Sequence, residues 1–158
     1  MSAALRRLAA LVALALAAVP ACGGPPPTPE EEVRAALAAA EAAVRAHDLA
    51  ALKEHIASDY RDAAGRDEAE LGSLLTVHFL RNSRIHLLVR VRSLEVEAPG
   101  RATVEALVAT AGRPIPGLEA LADLEADLLW LDLGLARRDG EWAVTSARWE
   151  RARLEDLL

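Results

Sequence analysis

Apolar residues recur at helical spacing through the first half of this chain and at alternate positions through the second. Val33, Leu37, Ala40 and Val44, spaced 4, 3 and 4, line one face of a helix predicted to run to about Ala46. The helix opens on "TPEE": Thr28 as N-cap, Pro29 at the first helical position, and Glu31 reaching back to close a capping box. Asp48 caps a second helix that turns Leu49, Leu52 and Ile56 inward. A short extended piece at Tyr60 to Asp62 and a turn at Gly65 follow. Asp67 and Glu70 then form another cap pair, opening a third helix with Leu71, Leu74, Leu75, His78 and Phe79 on one side.

From Ile85 the period becomes two. Ile85, Leu87, Val89 and Val91 share one face, His86, Arg90 and Arg92 the other, and Leu94 and Val96 continue after a one-residue slip that predicts a bulge. "APGR" turns the chain into Ala102, Val104, Ala106 and Val108. "AGRPIPG" is a longer loop leading into a short helical turn at Leu118 to Ala122, and two long strands then meet at Asp139-Gly140, a two-residue hairpin signal. Helices first and an antiparallel meander last make the class α+β.

The chain's start has its own pattern. Arg6 and Arg7 precede an unbroken apolar run of 12 residues, Leu8 to Val19, and a small residue, Ala21, precedes Cys22. This is the three-part order of a secretory signal, and the run is shorter than the roughly 20 residues of a membrane-spanning helix. Residues 1–21 are therefore expected to be removed. Cys22 is the only cysteine, so it has no partner for an internal disulfide. "VPAC" resembles the lipobox of bacterial lipoproteins, Val19, Ala21 and Cys22 matching and Pro20 departing. That resemblance implies a lipidated Cys22 at the new N-terminus, followed by a Gly/Pro-rich tether over residues 22–29, with the membrane as a partner. It also implies export, and Gly23 after the cysteine fits the periplasmic face of the outer membrane.

Composition narrows the function further. Hydrophobic residues make up 53% but aromatics only 3%, and the formal charge is −6, or −8 once Arg6 and Arg7 leave with the signal. Such a surface with so few stacking rings argues against nucleic-acid binding. No spacing of His and Cys forms a metal site: His47 and His55 read as surface residues, and no cofactor motif is present.

The order of elements, and in particular "HDLAALKEHIASDYRDAAGRDE" and the closing hairpin "DGEWAVTSARW", resembles the nuclear transport factor 2-like superfamily over roughly residues 30–150, leaving 151–158 as a tail. The resemblance implies a curved antiparallel sheet forming a cone around the N-terminal helices, with a pocket between them, and pairing of two copies through the sheet face. Within that superfamily, ketosteroid isomerase carries its general base in a D-x-x-G turn matched here by Asp62-Ala63-Ala64-Gly65. Its oxyanion donors fall near Ala40 and Leu131, which have none to give, and Asp132 is one position off, on the opposite face. Scytalone dehydratase-like chemistry with paired His and Tyr would draw on His78, His86, Tyr60 and Asp132.

The function expected is non-enzymatic binding of a small apolar ligand or an envelope partner, in a pocket lined by Trp130, Trp142 and Phe79. The alternative is an acid/base lyase or isomerase with Asp62 as base and Tyr60, His78 or Asp132 assisting. The bland counterparts are a turn carboxylate for Asp62, a core histidine for His78, and core packing for the tryptophans. Arg81, Arg84, Arg90, Arg92 and Arg101 form either a basic patch for anionic groups or, the favoured reading, cross-strand pairs with Glu95, Glu97 and Glu105.

Overall fold

The computed structural model describes residues 24–97 and 99–157; the signal segment and Cys22 lie outside the described residues. Among the described residues three helices come first: α1 (Pro29–Arg45), α2 (Leu49–Glu54) and α3 (Glu68–Arg81). Four strands follow: β1 (His86–Glu97), β2 (Arg101–Ala111), β3 (Asp127–Arg138) and β4 (Glu141–Arg151). They form one curved, unclosed antiparallel sheet in the order β1-β2-β3-β4.

Both capping boxes form. Thr28 Oγ1 accepts from Glu31 N while Glu31 accepts from Thr28 N, and Asp67 and Glu70 exchange the same pair of bonds at the start of α3. Asp48 accepts from Ala51 N and starts α2. Asp139 and Gly140 both adopt positive φ, 51° and 89°, which gives the tight β3–β4 hairpin the right twist. The bulge expected in β1 is present as a register shift between Val91 and Ser93, and a second lies between Gly134 and Leu135.

Pairing register assigns the two sheet faces. Ala102, Val104 and Leu135 meet Val33 and Trp142 in a buried cluster, against which Ala36 and Leu37 of α1 pack, so this is the helix-bearing face. Alternation puts Leu107 and Ala109 on the other face. There the loop between β2 and β3, carrying a 3-10 turn at Leu118–Ala120, folds Ile115, Leu118 and Leu121 over Leu107, Leu128 and Trp130. The remainder of that face is open.

The extended piece at Tyr60 to Asp62 is not a regular strand. Ile56 bridges Val144 in parallel, and Arg61 N and Ala63 N donate to the carbonyls of Thr145 and Ala147, so residues 55–63 follow the free edge of β4 without completing a ladder. The last residues form a 3-10 turn, Leu154–Leu157.

α3 differs from expectation. Of the residues assigned to its inward side, Leu71, Leu75 and Phe79 are half-buried, whereas Leu74 and His78 are exposed; its buried residue is Gly72, under the Lys53 side chain of α2. Among the described residues no helix is long and apolar enough to cross a membrane.

Candidate functional site

Asp62 is the buried charged residue among those described, and the local sequence accounts for its position. Gly65, at φ +83°, closes a turn in which Gly65 N donates to Asp62 O and Asp62 N to Arg66 O. Within that turn Asp62 Oδ1 accepts from Ala64 N and Arg66 N, both at 2.9 Å, and Oδ2 accepts from Arg66 Nε at 2.6 Å. Burial pushes this carboxyl up. The Arg66 backbone N–H, its guanidinium and the Ala64 N–H outweigh burial and hold it below the usual range. A carboxylate held by three donors in this way is poorly suited to take a proton near neutral pH.

Tyr60, two residues earlier, is 1% exposed and its hydroxyl is buried without a hydrogen-bond partner. Burial, reinforced by the negative charge of Asp62, pushes the phenol up to about 12, with Arg66 opposing. Arg66 also lies over Trp149, its guanidinium carbon 4.8 Å from the ring centroid. Arg66 and Trp149 were not among the residues expected at the site. The signal for Arg66 was the turn itself, since a cation four residues beyond a buried turn carboxylate can fold back onto it.

Asp132 occupies the open face. Register aligns Ser93, Glu105, Asp132 and Arg148 as one row across all four strands, next to a row of Glu95, Thr103, Gly134 and Ser146. These rows line an open depression of about 630 Å³, whose rim is formed by Arg61 to Ala63. Glu105 and Asp132 are direct cross-strand partners, an unfavourable pairing of like charges. Among the described residues no ion pair within 4.0 Å joins either of them to Arg148.

This location corrects the expected pocket. On the helix-bearing face α1 packs over Ala102, Val104 and Leu135, while the depression is on the opposite face and carries the charged and hydroxyl side chains of Ser93, Glu95, Thr103, Glu105, Asp132, Ser146 and Arg148. The three residues expected to line one pocket are separated. Trp142 is in the core and donates its Nε1 proton to Glu32 at 3.0 Å; Trp130 is on the open face under Arg92, 5.9 Å from the guanidinium carbon; Phe79 packs against His47, ring centroids 5.1 Å apart and planes tilted by 49°. His78 is exposed, its Nδ1 3.4 Å from Asn82 Nδ2, so it is neither a core histidine nor near Asp62's donors. Tyr60 and Asp62 thus come together, Asp132 meets the Asp62 turn only across the depression, and His78 joins neither. No group of His, Cys, Asp or Glu that could hold a metal ion occurs among the described residues.

The basic residues of α3 and β1 also differ from the favoured expectation. Register sets Arg90 opposite Leu107 and Glu105 opposite Ser93, so the predicted Arg90 and Arg92 pairs with glutamates do not form among the described residues; Arg101 does face Glu97.

No family model matches this sequence, and no curated protein matches it. Solved structures do. An NTF-2 like protein of unknown function from Shewanella oneidensis aligns with a TM-score of 0.61 at 13% identity, over 77% of this chain and 98% of that one. A ketosteroid isomerase-like protein from Erwinia carotovora aligns with a TM-score of 0.59 at 12% identity, over 78% and 96%. Bd1075 of Bdellovibrio bacteriovorus gives a TM-score of 0.59 at 8% identity, and there this chain spans only 40% of the longer protein. At these identities the likeness is one of fold: three helices on a curved four-stranded sheet, of the nuclear transport factor 2-like kind.

Proposed function

From this nuclear transport factor 2-like fold we propose a non-enzymatic binding module, held at the periplasmic face of a bacterial membrane by a lipidated Cys22, with the open sheet face as its recognition surface. The observation that carries the reading is the row Ser93, Glu105, Asp132 and Arg148 in a depression of about 630 Å³. Two like charges face each other there at a cost to the sheet that a partner's cation would offset. A small apolar ligand at this place would desolvate carboxylates without pairing them, so a protein partner or a second copy fits better. The engagement of Asp62 by three donors supports binding over proton abstraction.

Native mass spectrometry of the full protein extracted from host membranes tests both halves. The expected result is acyl mass on Cys22, absent in Cys22→Ser, and a retained protein or second copy that is lost when Glu105 and Asp132 are both changed to Arg. A retained apolar small molecule, indifferent to those changes, would sink the open-face reading.

A further inference from the structure

The apolar side of α3 that the fold leaves uncovered ends in cations. Leu74, Val77 and Leu80 follow one another at three-residue steps, so they lie on neighbouring turns of one side, and they are 42%, 45% and 81% exposed. Arg81 closes the helix and Arg84 follows in the loop to β1; both are exposed, and among the described residues neither is within 4.0 Å of a carboxylate. The acidic residues of this helix, Glu68 and Glu70, are confined to its first turn at the far end. On a chain of net charge −6, a stripe of bare aliphatic side chains bordered by two unpaired arginines is a local exception.

We propose that the C-terminal half of α3, through Leu74, Val77, Leu80, Arg81 and Arg84, seats on an anionic lipid bilayer. The aliphatic side chains enter the headgroup boundary and the arginines meet lipid phosphates. Reach agrees with this. Six peptide steps, the separation of Cys22 and Thr28 in the sequence, can span at most roughly 20 Å, and α1, of 17 residues, is about 25 Å long. Just beyond the far end of α1, His47 contacts the end of α3, its ring tilted 49° against Phe79 and its Nε2 2.7 Å from the Asn82 carbonyl O. The end of α3 is therefore about one α1 length from the tether, and a domain lying along the surface brings both to it. An acylated Cys22 holds the domain at high effective concentration, so a weak seat suffices. The proposal rests on the anchor reading for this proximity; the chemistry of the stripe does not.

Hydrogen exchange on the purified full protein, in vesicles of phosphatidylcholine with about 30 mol % phosphatidylglycerol, tests it. Intact mass determines acylation separately. The expected result is exchange over residues 74–84 slowed about tenfold or more relative to detergent, lost in Leu80→Glu, and lost in the pair Arg81→Glu with Arg84→Glu or in vesicles of phosphatidylcholine alone. Leu80 is so exposed that its substitution leaves the fold intact. Unchanged exchange in an acylated protein overturns the seat, as does protection that appears only when another protein or a second copy is cross-linked at α3. If no acyl mass is found, the anchor reading falls, and exchange at saturating concentrations of the same vesicles decides the seat: slowing over residues 74–84 that Leu80→Glu abolishes supports it, and unchanged exchange overturns it.

Discussion

Arg66 folds back across its own turn to place Nε 2.6 Å from Asp62 Oδ2, and the pair leaves the Asp62 side chain 1% exposed and that of Arg66 34% exposed. A buried carboxylate is tolerated because each of its donors is supplied within four residues. Asp62→Asn keeps the shape but turns an amide N–H₂ toward a guanidinium, and it should lower the melting temperature by about 5 °C or more. Adding Arg66→Met should return part of the loss, because the opposed donor is gone. A double-mutant cycle by thermal denaturation measures this coupling; additive effects would mean that the pair contributes nothing.

The same donors predict an acid limb. The folded-state pKa of Asp62 lies below its ordinary value, as does that of Asp59, which accepts from Arg138 at 2.7 Å. A depressed carboxyl pKa stabilises the fold above the unfolded-state value near 4, and this contribution is lost as pH falls through the folded-state pKa. The urea midpoint should hold between about pH 7 and 5 and fall below about 4, with a shallower fall in Asp62→Asn than in the parent. Asp59, exposed and open to salt, should contribute little to the slope.

Tyr60 gives the alkaline counterpart, and as the only tyrosine it can be followed by absorbance without ambiguity. Its phenol is pushed up to about 12, so the folded state resists ionisation. Stability tied to the neutral phenol is complete below about pH 10 and is lost as pH rises toward 12. Phenolate absorbance should therefore appear near pH 12 or together with unfolding. Tyr60→Phe removes an orphaned buried hydroxyl and should be neutral or stabilising by up to about 1 kcal/mol in urea; a large loss would mean that the hydroxyl has a partner, such as a buried water.

What could be read from the sequence was mostly local. Thr28 with Glu31, Asp67 with Glu70, Asp139-Gly140 and the slip after Val91 each depend on residues a few positions apart, and each forms as expected. Alternation also put Trp130 and Asp132 on one face correctly. It could not say which face the helices cover. α3 carries apolar residues on several sides, and which part of it is covered is set by partners elsewhere in the chain, His47 against Phe79 and Lys53 of α2 over Gly72, while Leu80 stays exposed. Tyr60 and Asp62 were found as candidates, but the edge of β4 and the reach of Arg66 decide what they can do.

Gly72 tests how tightly α2 and α3 are joined. A Cβ there would meet Lys53 Cε at 2.6 Å and Nζ at 2.9 Å, which is the movable end of a long side chain whose ion pair with Glu68 spans 3.9 Å in partly exposed surroundings. Displacing it costs little, and alanine is favoured over glycine inside a helix by about 0.5–1 kcal/mol. Gly72→Ala should therefore raise stability by up to about 1 kcal/mol in urea denaturation. A loss of more than about 1 kcal/mol would show that Lys53 is fixed and that the α2–α3 contact has no slack.

The open face should be more stable without its acids. Asp132 sits opposite Glu105 on one side and Arg148 on the other, and no close ion pair with that arginine offsets the like charge among the described residues. Asp132→Asn keeps the side-chain volume and removes the repulsion, so it should stabilise the domain by about 0.2–1 kcal/mol, more at low salt than at high. If the row serves a partner, the same substitution weakens that partner's retention, and stability and binding move in opposite directions. Urea midpoints at two salt concentrations, set beside co-purification of the partner, separate the cases. A gain in stability with binding unchanged would leave Asp132 as an unoptimised surface charge, whereas a loss of stability would place Arg148 closer to Asp132 than the sheet register alone implies.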